Sequence, residues 1–165
     1  MKKTLRLTAI FVLITAGLNA QGVRPPRQQP PAFFWIGIQA GRLGEEMLYG
    51  EFSLSAQLGR SGYGSVYYLG GSVPLGSGDE LNEYGFMIGP CSRTRGAFAG
   101  AAIGIGIMNG WIGPYSDVTA VGIPLKLEGA VIVGGFMALN LQIRAFVWKR
   151  TYSGISLGLQ FGKLR

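Results

Sequence analysis

Residues 123 to 147 alternate between two kinds of side chain. From 123 to 133 the odd positions are apolar or Gly (Ile123, Leu125, Leu127, Gly129, Val131, Val133), while the even ones include Lys126 and Glu128. From 137 to 147 the odd set is Met137, Leu139, Leu141, Ile143, Ala145 and Val147, and the even set holds Asn140, Gln142 and Arg144. A strand turns successive side chains to opposite faces, so the pattern predicts two strands, each with one apolar and one polar face. A helix would instead scatter the five polar residues around its circumference.

The same split separates Leu48, Phe52, Leu54, Ala56 and Leu58 from Tyr49, Glu51, Ser53, Ser55 and Gln57. It separates Ile155, Leu157, Leu159 and Phe161 from Gly154, Ser156, Gly158, Gln160 and Gly162, and Ile103, Ile105 and Ile107 from Ala102, Gly104 and Gly106. Shorter candidates at 34–41, 64–71 and 84–89 bring the predicted count to eight. The odd-numbered joins (42–47, 71–83, 109–121, 148–153) read longer than their even neighbours (59–62, 90–95, and the pair Gly134 and Gly135). At that last hairpin the apolar residues are odd on both sides, so the loop must contain an odd number of residues or a bulge. A three-residue loop opposes Lys126 to Arg144. A five-residue loop opposes Glu128 to Arg144 and is expected on electrostatic grounds.

Three architectures can use such strands or runs. A soluble barrel would turn the apolar face inward around an apolar ligand, but Gly104, Gly106, Gly154, Ser156, Gly158 and Gly162 would then coat a surface that normally carries about a quarter or more charged residues. A helical membrane protein is suggested by the small-xxx-small spacing of Gly96, Gly100 and Gly104, yet Gly and β-branched residues are poor helix formers. A transmembrane barrel turns the apolar face to lipid and satisfies every backbone group by closing on itself. The expected fold is therefore all-β: an eight-stranded antiparallel up-and-down transmembrane β-barrel over residues 33–165. With eight strands the interior is about filled by side chains, so Glu51, Lys126, Glu128, Asn140, Gln142 and Arg144 are expected to form a paired polar core. A proton path or narrow, porin-like pore through these residues is the functional alternative.

Residues 1–20 combine a basic start (Lys2, Lys3, Arg6), an apolar run from Leu7 to Ala16 and a small residue, Ala20, the layout of a cleaved secretory signal peptide. Residues 21–32 contain Pro25, Pro26, Pro30 and Pro31 and read as an extended linker. Cleavage would remove three of the 15 basic residues, leaving 12 against 8 acids, a net +4. No Arg/Lys cluster is interleaved with stacking aromatics, so no nucleic-acid partner is expected. The single Cys91 forms no internal disulfide, and the absence of His excludes Ser-His or Cys-His nucleophilic sites and imidazole-bound metals. Asp79, Glu80 and Glu83 read as an acidic cluster in the third join, solvated because their spacing matches no calcium loop. Trp35, Trp111 and Trp148 fall near strand ends, suggestive of interfacial girdles, although parity turns Trp35 and Trp148 inward.

The eight dyad-repeat strands, "GIPLKLEG" and "YSGISLGLQFGKLR" resemble the small outer-membrane β-barrel proteins of Bacteroidetes-type bacteria, within the OmpA- and OmpX-like class. The resemblance covers residues 33–165 and is specific for fold. The expected protein is a monomer in the outer membrane of a Gram-negative bacterium, without cofactor or metal; six of the eight acids (Glu45, Glu46, Asp79, Glu80, Glu83 and Asp117) fall in odd joins, so those loops are expected to make cation-bridged contacts with lipopolysaccharide phosphates or bind a surface partner. Barrel enzymes that the resemblance brings to mind, lipid A deacylases and palmitoyltransferases, rely on a His absent here, so a non-catalytic structural or surface-interaction role is expected. A soluble carrier of an apolar ligand and a His-independent lipid-modifying enzyme remain as alternatives.

Overall fold

A computed structural model describes residues 33–44, 47–73, 80–112, 115–149 and 151–163, without the side chains of 112–117. The proposed signal peptide and linker lie outside the described residues. Eight strands follow in chain order: β1 (Phe34–Leu43), β2 (Met47–Leu58), β3 (Gly62–Ser72), β4 (Glu80–Arg93), β5 (Ala97–Ile112), β6 (Tyr115–Val133), β7 (Met137–Val147) and β8 (Thr151–Lys163). Each pairs antiparallel with its neighbours in sequence and β8 pairs with β1, closing the barrel. Closure leaves no free sheet edge, so every strand has a hydrogen-bonded neighbour on both sides.

The alternation sets the two surfaces. Leu125, Leu127, Leu139, Leu141, Leu157 and Leu159 point outward, joined by Ile36, Ile38, Phe52, Leu54, Phe86, Ile88, Ile103 and Ile105. Their even- or odd-numbered neighbours on the same strands point into the lumen. Inward glycines make the narrow interior possible at one crowded level. Gly85, Gly106 and Gly122 lie side by side on β4, β5 and β6. A Cβ on Gly85 or Gly106 would stand 2.9 or 2.7 Å from the Tyr67 hydroxyl, and one on Gly122 would overlap the Phe146 ring. The bare wall is what lets both rings cross the lumen.

One end of the barrel carries the turns 59–61, 94–96 and 134–136 together with the start of β1 and the end of β8; it is the turn end. The other, the loop end, is built differently from the expectation of alternating loop lengths. The third connection, 73–79, is long, but the fifth is only residues 113–114, because β5 and β6 run on to 16 and 19 residues. About 9–11 tilted residues cross a bilayer, so this hairpin stands well beyond it. The asymmetry between the two ends is thus an overhang of paired strand more than a set of longer loops.

The sixth connection also differs. Val133 pairs with Met137, so the loop is the three residues 134–136, and Lys126 lies opposite Arg144. Gly134 takes the left-handed conformation (φ 77°) that a side chain disfavours. The expected five-residue loop assumed that cross-strand neighbours must neutralise each other; instead Arg144 reaches carboxylates across the lumen and Lys126 pairs with Glu128 on its own strand.

Candidate functional site

The lumen is stratified. At the turn end Trp35, Tyr63, Phe98, Met87, Cys91 and Ile132 pack together, with Trp35 stacked on Tyr63 at 6.0 Å and edge-on to Phe98 at 5.2 Å. At the loop end Leu43, Met47, Leu69, Leu81, Met108 and Phe146 form a second apolar plug, with Trp148 and Tyr152 packed on it. Between them lies the polar layer. Trp35 and Trp148 are therefore plug residues, whereas Trp111, 49% exposed, faces outward.

All six residues of the expected interior set are buried in that layer. Arg144 of β7 crosses the lumen to ion-pair with Glu51 of β2, at 2.6 Å, and with Glu83 of β4. Tyr67 donates its hydroxyl to the same Glu83 carboxylate at 2.6 Å. Gln142 donates to Glu51 at 2.8 Å and accepts from Gln39 at 2.9 Å, and Ser156 donates to Gln39 at 2.8 Å. Lys126 pairs with Glu128 two residues along β6, at 3.2 Å, and Asn140 and Gln160 donate to that carboxylate at 3.2 and 3.1 Å. Ions removed from water are tolerable only when paired and hydrogen-bonded; Glu51, Glu83, Glu128 and Arg144 have both kinds of partner, while Lys126 has its ion pair and lies 5.4 Å above the Tyr63 ring.

Glu83 is a correction. It was expected in an outer-loop acidic cluster with Asp79 and Glu80, but β4 begins at Glu80, and the strand parity of Leu81, Glu83, Gly85 and Met87 turns Glu83 into the lumen, 1% exposed. Glu80 is exposed on the outer wall, and Asp79 lies outside the described residues. The three acids thus form no common site among the described residues, and no group of His, Cys, Asp or Glu there could hold a metal. Tyr67, Gln39 and Ser156 complete the core although only parity along a Gly-rich strand or a short run could have found them.

The outer wall changes character near the loop end. Tyr68 and Tyr84 lie opposite one another on β3 and β4, and the Tyr68 hydroxyl donates to Asn82 Oδ1 at 2.6 Å. Beyond them Gly50, Gly70, Ser72, Glu80 and Asn82 line a notch of about 420 Å³ beside Leu48. Phenolic rings with their hydroxyls turned toward polar neighbours mark the level at which an apolar surrounding ends.

No family model matches the sequence, and no curated protein matches it. Solved structures do match the fold. The N-terminal β-barrel domain of Pseudomonas aeruginosa OprF aligns over 82% of this chain and 99% of its own, with a TM-score of 0.66 at 11% identity. A de novo designed transmembrane β-barrel aligns over the same shares with a TM-score of 0.61 at 11% identity. The outer-membrane enzyme PagL aligns over 77% of this chain and 98% of its own, with a TM-score of 0.56 at 11% identity. At these identities the likeness establishes an eight-stranded closed barrel of the transmembrane kind and nothing about chemistry.

Proposed function

We propose that this chain is an outer-membrane β-barrel protein of a Gram-negative bacterium with a structural or surface-interaction role and no catalytic one. The observation that carries the reading is the inversion of its two faces. Large apolar side chains are exposed on all eight strands, Leu157 at 60% and Ile105 at 70%, while Glu51, Glu83, Lys126, Glu128 and Arg144 are buried at the centre. In water this arrangement exposes an apolar surface far larger than the few hundred Å² that soluble proteins tolerate. In a bilayer it is the stable one. Apolar plugs at both ends of the lumen and a paired polar core between them count against an enclosed site for an apolar ligand among the described residues. Those plugs also oppose a continuous water path through the described part of the lumen.

The loop end supplies the contact surface. Its overhanging β5–β6 hairpin, the notch beside Glu80 and the acids Glu45, Glu46, Asp79 and Asp117 in or beside the odd connections support divalent-bridged contact with lipopolysaccharide phosphates or a surface partner. Closed barrels resist cold SDS, so the full chain extracted from membranes should migrate faster unheated than boiled. Migration unchanged by boiling, or recovery in the soluble fraction without detergent, would contradict the reading. Binding to lipopolysaccharide should fall on addition of a chelator.

The fold shared with PagL gives a specific ground for testing catalysis directly. Lipid A incubated with the folded protein should be returned unmodified. Modification that is lost on Glu51→Gln or Glu128→Gln while heat-modifiability is kept would establish the His-independent enzyme instead.

A further inference from the structure

The acidic residues are distributed so that one end of the barrel has none. Glu51, Glu83 and Glu128 are buried in the lumen, and Glu45, Glu46, Asp79, Glu80 and Asp117 belong by chain position to the loop-end connections and the strand segments beside them. No Asp or Glu occurs in the turns 59–61, 94–96 and 134–136 or at the strand ends that flank them. Cations do occur there. Arg60 sits in the first turn, Arg95 in the second, and Lys163 at the end of β8 opposite Phe34, all three exposed. Arg93 lies half-buried beside them, its guanidinium 3.6 Å above the Phe33 ring. The loop end, by contrast, mixes its acids with Arg42 and Lys149.

The apolar wall runs right up to this rim, where Phe34, Leu58, Val133 and Phe136 are exposed, Phe136 at 66%. Arg60 lies two residues beyond Leu58 and Lys163 is level with Phe34, at the margin of the lipid-facing band where phosphates stand. The three exposed cations are also dealt around the circumference, at the β2–β3 turn, the β4–β5 turn and the β8–β1 seam. A single macromolecular ligand would favour one continuous patch, whereas separate lipids can each take one site. We propose that the turn-end rim binds the phosphates of anionic phospholipids and enriches them around the barrel in the leaflet facing the turns. The inference rests on the membrane reading above and deepens it by naming a partner for the end opposite the loops. Exposed charges of this kind are screened over about 10 Å at 0.1 M salt, so the preference should weaken as salt rises.

The test is electron spin resonance of the full chain reconstituted in phosphatidylcholine vesicles containing spin-labelled phosphatidylglycerol or spin-labelled phosphatidylcholine. Immobilised phosphatidylglycerol should exceed phosphatidylcholine by roughly threefold or more at low salt. Arg60→Gln, Arg95→Gln and Lys163→Gln should each lower that ratio, and together bring it near parity. Arg42→Gln with Lys149→Gln, at the other end, should leave it unchanged. Parity in the unmodified protein, or a ratio insensitive to the three turn-end changes, overturns the inference while leaving the barrel in its membrane. A chain that enters no vesicle of either composition overturns the membrane reading itself, and this inference with it.

Discussion

The two faces of β7 place different chemistry a residue apart. Leu139, Leu141 and Ile143 are about half exposed on the outer wall, while Asn140 and Gln142 between them are wholly buried and hydrogen-bonded, Asn140 to Glu128 on the neighbouring strand and Gln142 to Glu51 across the lumen. Arg144, two residues past Gln142 on the same face, holds two carboxylates from the far wall. The outer face is held by non-directional apolar contact with a fluid and tolerates shape changes. The inner face is a set of directional, mutually dependent partners in low dielectric, where removing one leaves others unsatisfied. Substitutions along this one strand should therefore differ in cost by face more than by size.

The largest effect is expected at Arg144. Replacing it with Met leaves Glu51 and Glu83 buried without their cation, and breaking a buried pair in this way removes about 3–5 kcal/mol. Unfolding by urea in lipid vesicles measures it. The comparison sharpens if Glu51→Gln and Glu83→Gln are added, since a neutral trio should recover a good part of the loss. Next comes Leu141→Arg, which carries a charge to the lipid face and should destabilise by about 2–4 kcal/mol if that position lies near the bilayer midplane. A cost near zero would mean that Leu141 meets water.

Gln142→Leu is milder. It removes one donor to Glu51 and the acceptor used by Gln39, for a loss of about 1–3 kcal/mol, although it adds apolar bulk. The smallest effect belongs to Ile143→Val on the outer wall. Acyl chains fill the space that a rigid core would leave empty, so only the transfer of one methylene is lost, about 0.8 kcal/mol. A larger loss there than at Gln142 would break the comparison.

How far the sequence revealed this arrangement depends on which medium each strand touches. Where lipid lies outside and the polar layer inside, as in β2, β6, β7 and β8, period two is enforced by both neighbours and the faces of Leu125, Leu141, Lys126 and Arg144 can be read directly. At the strand ends that enforcement lapses. In β4 the order inverts, with Leu81 inside and Asn82 outside, because an apolar plug closes the lumen just where the outer wall leaves the bilayer. Reading by hydrophobicity stops the strand at Tyr84 and strands Glu83 in a loop. The β5–β6 overhang is missed for the same reason: Asn109, Thr119 and Asp117 look like loop residues, yet backbone pairing continues without any apolar solvent to impose a pattern.

The hairpin at 134–136 shows a different limit. Choosing its length by pairing Glu128 with Arg144 treats two strands as the whole neighbourhood, but in a closed barrel Arg144 finds Glu51 and Glu83 from the far side. Those partners are 93 and 61 residues away in sequence. No local pattern announces them. The chemistry of the core was legible as a set of residues, and its connectivity only from closure.

The most direct test scans β7 in vesicles, with Cys91→Ser to remove the native thiol and single changes to Cys from Leu139 through Ile143, each carrying a nitroxide. Collision with oxygen dissolved in the acyl chains should be high at positions 139, 141 and 143 and low at 140 and 142. A scan in which 140 and 142 are the lipid-exposed positions, or in which the alternation is missing, would contradict the account.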